Sequence, residues 1–123
     1  MRLVVLMIEV EQPEGVSTRK LVLETARHNV ITAYNSATGV ELLRRFPNVD
    51  VVVVHTEMEN LVFEKTVRDL KQVRSDIPVI GITPRGQMDI DGAQYMISSH
   101  DPQALLQLLA QEFEASTSDN DQE

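Results

Sequence analysis

Glu9, Glu11, His55, Glu57, Thr83, Ser98 and Ser99 stand at or just after the ends of short apolar runs, and together they have the polarity of a chemical site. An imidazole beside carboxylates can hold a divalent metal, accept a phosphoryl group, or switch with pH as neighbouring acids favour its charged form. Glu9, Glu11 and His55 make one such metal set. The competing reading is structural. No second His or Cys stands at ligand spacing from His55, and Glu11, Pro13 and Glu14 have the composition of a solvated turn. Thr83 can equally cap local backbone groups. The chain has no cysteine, which excludes a disulfide framework, a thiolate metal site and a cysteine nucleophile.

The elements that must position these residues alternate. Apolar, β-branched runs occupy Leu3 to Ile8, Val30 to Ala33, Val51 to Val54, Pro78 to Ile82 and Tyr95 to Ile97. Val51 to Val54 offers no polar side, as expected of a strand covered on both faces. Between the runs, Ser17 to His28, Ser36 to Phe46 and Asn60 to Arg74 show helical spacing. The expected apolar faces are Leu21, Val22, Leu23 and Ala26, then Ala37, Val40, Leu43 and Phe46, then Phe63, Val67, Leu70 and Val73. Asp101 to Glu114 follows the last run, with Asp101 as N-cap and Pro102 at the first helical position. Alternating strands and helices predict an α/β doubly wound parallel sheet. In such a sheet the ligand crevice lies at the carboxyl ends of the strands, which is where the polar set falls.

Two segments break the pattern. Thr83 to Gln94 contains Pro, two Gly and two Asp, too little for a full crossover helix, so a loop or a single turn is expected. Residues 115–123 offer no apolar residue beyond Ala115, and with Glu114 they hold four of the chain's 19 acids; they read as a disordered acidic tail. The folded unit is then 1–114, one domain in a chain of 123 residues. The formal charge of −8 makes phosphate backbones and anionic lipid poor partners, so neither nucleic acid nor membrane is expected. No signal-peptide pattern and no apolar run of transmembrane length occurs, which predicts a cytoplasmic protein.

With VDVVVVHTEME at the third strand, IPVIGITPRG at the fourth and GAQYMISSHDPQALLQLL at the fifth strand and last helix, the chain resembles a response-regulator receiver domain, CheY-like, over residues 2–114. The resemblance implies a flavodoxin-like five-stranded sheet of order 2-1-3-4-5, here with the fourth helix shortened or missing. It also implies correspondences at the site. Asp50 and Met58 fit the register around the family's phosphoacceptor aspartate, whose own position falls on His55, and the following proline position on Glu59. Thr83 matches the hydroxyl that contacts the phosphoryl group, and Tyr95 the switch aromatic. The family's lysine corresponds to Ser98 and its proline neighbour to Ser99. The paired acids that hold magnesium fall on Val10 and Glu11, leaving one acid unless Glu9 substitutes.

Phosphoryl transfer to a carboxylate needs a metal, an opposing cation and an in-line nucleophile. Glu11, His55, Thr83 and Ser98 supply neither the carboxylate nucleophile nor the ammonium, so the usual aspartyl phosphorylation is expected to be lost. The expected function is a stand-alone degenerate receiver, or pseudo-receiver, acting as a phosphorylation-independent interaction module in two-component signalling; it is expected not to be an enzyme and to need no cofactor. Its partner would be a histidine kinase, response regulator or output protein, or a second copy in a homodimer. Tyr95, Met88, Ile90 and Met96 would supply the switch and interaction face. The alternative is a His55-centred phosphocarrier or divalent-metal site on the same fold. A mononucleotide-binding reading is weak, because the first loop, EQPEG, is acidic and the chain has no Trp.

Overall fold

A computed structural model describes residues 2–9, 23–56, 62–83, 95–98 and 102–111. Glu11, Glu57, Met88, Ile90 and Ser99, the shortened helix expected within 84–94 and the tail at 115–123 lie outside the described residues. Five strands are present: β1 (Val4–Ile8), β2 (Asn29–Ala33), β3 (Val51–His55), β4 (Val79–Thr83) and β5 (Tyr95–Ser98). They form one parallel sheet of order β2-β1-β3-β4-β5, the order expected. Helices α1 (Ser36–Arg45), α2 (Phe63–Val73) and α3 (Pro102–Leu109) follow β2, β3 and β5, and residues 23–25 are helical ahead of β2. The expected N-cap Asp101 also lies outside the described residues.

The valine run explains itself once its two faces are separated. Val52 and Val54 pack with Leu6, Ile8, Leu43, Phe63, Val67 and Leu70 beneath α1 and α2. Val51 and Val53 pack with Leu3, Val5, Met7, Leu23, Leu105 and Leu109 beneath α3. Each buried valine contributes about 1.5–3 kcal/mol of transfer free energy, so polar residues have no place on either face. Strand β2, at the sheet edge, is only partly covered, and its Asn29 is exposed.

Helix α2 buries the face expected of it, through Phe63, Val67 and Leu70. Helix α1 does not. Ala37 is exposed and Phe46 is 40% exposed, while Gly39 and Leu43 are the buried residues. A Cβ at Gly39 would lie 2.7 Å from Ile8 Cγ1, so a glycine, and not a large apolar side chain, marks where the helix meets β1. Its N-terminus is fixed by Asn35, whose Oδ1 accepts from Thr38 N–H at 2.8 Å. The helical residues 23–25 end in a Schellman motif: His28 N–H reaches Leu23 O at 3.0 Å, Arg27 N–H reaches Glu24 O at 2.9 Å, and Arg27 takes the left-handed position at φ 73°.

Side chains tie the amino end of the sheet together. Asp50 exchanges two bonds with Val4: Val4 N–H donates to Asp50 Oδ2 and Asp50 N–H donates to Val4 O, both at 2.8 Å. Leu3 N–H donates to Nδ1 of buried His28 at 3.1 Å. Arg74, just past α2, donates to the carbonyls of Pro47 and Val49. Among the described residues no helix is long and apolar enough to cross a membrane.

Candidate functional site

The strands deliver the polar set to one edge. Strand β1 ends at Ile8, opposite Val54, and β3 ends at His55, opposite Ile82. Glu9 follows Ile8 directly, its N–H donating to Ala33 O at 3.0 Å, so continuing the ladder by one residue sets Glu9 beside His55. Glu9 is 3% exposed, and His55 is half-buried. Glu9 is therefore the acid that β1 holds at this edge among the described residues, and Glu11 lies outside them.

One step further along, Thr83 closes β4 in register with Ser98 of β5, and Thr83 is fully buried. Thr56 N–H donates to Ile82 O at 2.8 Å, which carries the β3 ladder to the level of Thr83. Positions 56, 83 and 98 thus make a row of three hydroxyl residues across β3, β4 and β5. Thr56 was not among the residues singled out by sequence. Its Oγ1 is buried with no hydrogen-bond partner among the described residues, and the signal that finds it is register: two residues beyond Val54, level with Thr83. By strand alternation, Glu9 and His55 continue the face of Met7 and Val53, whereas Thr56 and Thr83 continue the face of Val54.

The chemistry of this edge is limited by its charges. Among the described residues no lysine or arginine ends a strand here; Lys65, early in α2, is joined to Asp69 at 2.9 Å. No group of three or more His, Asp or Glu close enough to share a metal occurs among the described residues. Magnesium asks for near-octahedral oxygen coordination, and Glu9 carboxylate beside an imidazole does not fit that demand. Nitrogen-tolerant divalent ions match the pair better, though two ligands are fewer than the three or four of a protein zinc site.

Tyr95 and Met96 lie on β5, at the far edge from β2, paired with Ile80 and Gly81. A cavity of about 740 Å³ lies elsewhere, in a groove between α1 and α2 lined by Asn35, Ser36, Glu41, Arg44, Lys65 and Asp69 among others. Its charges are engaged with each other, Arg44 with Glu41 and Lys65 with Asp69, each at 2.9 Å. Ser36 and Thr66 hydroxyls meet across it at 3.0 Å. It holds none of the strand-end residues.

No protein-family model and no curated protein sequence matches the chain. Solved structures do. A response-regulator receiver domain protein from Clostridium thermocellum superposes with a TM-score of 0.76 at 22% identity, covering 93% of this chain and 96% of that one. A CheY-like receiver domain protein from Methanospirillum hungatei gives 0.75 at 13% identity, covering 97% and 99%. A complex of CheX and CheY with beryllofluoride and magnesium from Borrelia burgdorferi gives 0.72 at 21% identity, covering 90% and 89%. The chain has the flavodoxin-like α/β fold of CheY-like receiver domains, spanning nearly the whole of each.

Proposed function

We propose that the chain is a degenerate receiver acting as a protein-interaction module in two-component signalling, its state set by a partner and not by aspartyl phosphorylation. One observation carries this reading. His55 stands at the end of β3, the position that the resemblance to receivers gives to the acceptor carboxylate, and Ser98 stands at the end of β5, the position that it gives to the cation. An acyl phosphate would have neither an oxygen nucleophile to form on nor an ammonium to offset its charge. The edge strand β5, which carries Tyr95 and Met96, is the natural seat of a partner, and a neighbour of this fold is found complexed with another protein, CheX. The partner is then a histidine kinase, a response regulator or an output protein.

Incubation with acetyl phosphate and magnesium, followed by intact-mass measurement, tests the reading. No mass change is expected, and a stoichiometric gain of one phosphoryl group that survives His55→Ala would overturn it. The lateral placement of buried Glu9 beside His55 supports a second reading, a divalent-metal or phosphocarrier site on the same edge. That reading expects a calorimetric signal with zinc or manganese that disappears in His55→Ala; titrations without heat sink its metal form, and a phosphoryl gain abolished by His55→Ala would establish its phosphocarrier form.

A further inference from the structure

We propose that the groove between α1 and α2 docks an amphipathic helix of another protein, apolar at its two ends and basic at its centre. The floor of the groove is apolar, since Val40 and Val73 line it and pack against the core beneath. Its walls carry Glu41 and Arg44 from α1, and Lys65 and Asp69 from α2. The ends are apolar again. Among the described residues the exposed large hydrophobic side chains are Tyr34, Phe46 and Val62, and all three stand at the ends of these two helices. Tyr34 precedes the N-cap of α1, Phe46 is its C-cap, and Val62 is the N-cap of α2. Ser36 and Thr66 hydroxyls meet at 3.0 Å, and Thr66 Oγ1 donates to Val62 O at 3.1 Å, which sets Tyr34 and Val62 at one mouth of the groove and leaves Phe46 at the other. Single exposed apolar residues are ordinary, but three around one groove mark a contact surface.

The order of charges along the groove selects the occupant. Both helices run back from the carboxyl end of the sheet, and the contact between Ser36 and Thr66 fixes their relative height. At about 1.5 Å per residue, Lys65 stands near the carboxyl end, Asp69 and Glu41 about 6 and 9 Å further along, and Arg44 about 14 Å along. The acids are central and the cations terminal. Each acid is paired along its own helix, Glu41 with Arg44 and Asp69 with Lys65, at 2.9 Å. Glu41, Arg44 and Lys65 side chains are 54%, 60% and 66% exposed, and pairs of this exposed kind contribute little to stability. Exchanging them for a cation brought by a ligand therefore costs little. The chain's formal charge of −8 draws a basic segment toward it as well.

The dimensions suit a helix. With ten residues, α1 is about 15 Å long, which is the length of three turns of a partner helix lying along it. Helices recognised in grooves present anchors at intervals along one face, so apolar residues at the two ends of such a segment meet Tyr34 and Val62 at one mouth and Phe46 at the other, while its central basic residues meet Asp69 and Glu41. The groove lies over β1 and β3, whose Leu6, Ile8, Val52 and Val54 pack in the core beneath it. It is therefore separate from the β5 edge and from the strand ends that carry His55 and Ser98.

The probe is a synthetic three-turn peptide with leucine at both ends and two lysines at its centre, and the control is the same peptide with two glutamates in their place. In the isotope-labelled full chain, the lysine peptide is expected to shift the amide signals of α1 and α2 and to leave those of β5 unmoved. The glutamate peptide is expected to bind about fivefold more weakly. Glu41→Gln with Asp69→Asn should remove that preference, and Glu41→Lys with Asp69→Lys should reverse it. Tyr34→Ser with Val62→Ser should weaken both peptides about tenfold. Absence of binding, shifts spread over the whole surface, equal affinity for the two peptides, or a preference that survives Glu41→Gln with Asp69→Asn overturns the proposal. So does a dimer of the chain alone, seen by sedimentation equilibrium and abolished by Tyr34→Ser with Val62→Ser, which would make the occupant a second copy. None of these readouts involves phosphate or His55, so this proposal and the proposed function can fail separately.

Discussion

At the amino end of the sheet, side chains from elsewhere bond the backbone entering β1 and β3: His28 accepts from the Leu3 amide, Asp50 accepts from the Val4 amide, and Arg74 donates to the Pro47 and Val49 carbonyls. At the carboxyl end β1, β3 and β4 stop on Glu9, His55, Thr56 and Thr83, and one buried hydroxyl there, Thr56, has no partner among the described residues. A protein that needed only to fold would satisfy both ends alike. The amino end is tied by side chains onto backbone, whereas at the carboxyl end Glu9, His55 and Thr83 have interactions of their own and Thr56 carries a hydroxyl whose burial lowers stability unless something engages it.

Substitutions can break that contrast, and His28→Ala should have the largest effect. It removes a buried side chain and leaves the Leu3 amide without its acceptor, which together should lower the unfolding free energy by about 3 kcal/mol. Urea titration against the unsubstituted protein measures it. A loss below about 0.5 kcal/mol, the range of ordinary surface substitutions, would mean that the amino end is not the stitched end.

Asp50→Ala comes next, at about 2 kcal/mol, because it orphans the part-buried Val4 amide while leaving the core intact. Asp50→Asn keeps an acceptor oxygen and should recover at least half of the loss. Equal losses in the two variants would point to the charge of Asp50, and not its hydrogen bond, as what matters.

These two residues also show how far the sequence could be read. Strand positions were legible because a run such as Val51 to Val54, buried throughout, has one physical explanation. The edge that gathers His55 and Thr83 was legible for the same reason, since fixing the strands fixes their ends. The part of Gly39 in the packed face of α1 was not, because it is defined by its closeness to Ile8, a tertiary fact absent from periodicity. Asp50 stood out only through resemblance; its bond to Val4 spans 46 positions and has no local signature. His28 and Thr56 were missed for the same reason, as each acquires its meaning from a strand that lies far away along the chain.

The smallest expected effect bears most directly on the carboxyl end. Thr56→Val replaces a hydroxyl by a methyl group of nearly equal size. If Oγ1 is buried without a partner, as it is among the described residues, the substitution removes a desolvated polar atom and should raise stability by about 0.5–1 kcal/mol. Thermal unfolding of the two proteins side by side resolves a difference of that size as a shift of about 2–5 °C. A decrease instead would show that the hydroxyl is engaged in the resting protein. The polar edge would then be stitched like its opposite, and the reason for seeking a ligand or partner there would weaken accordingly.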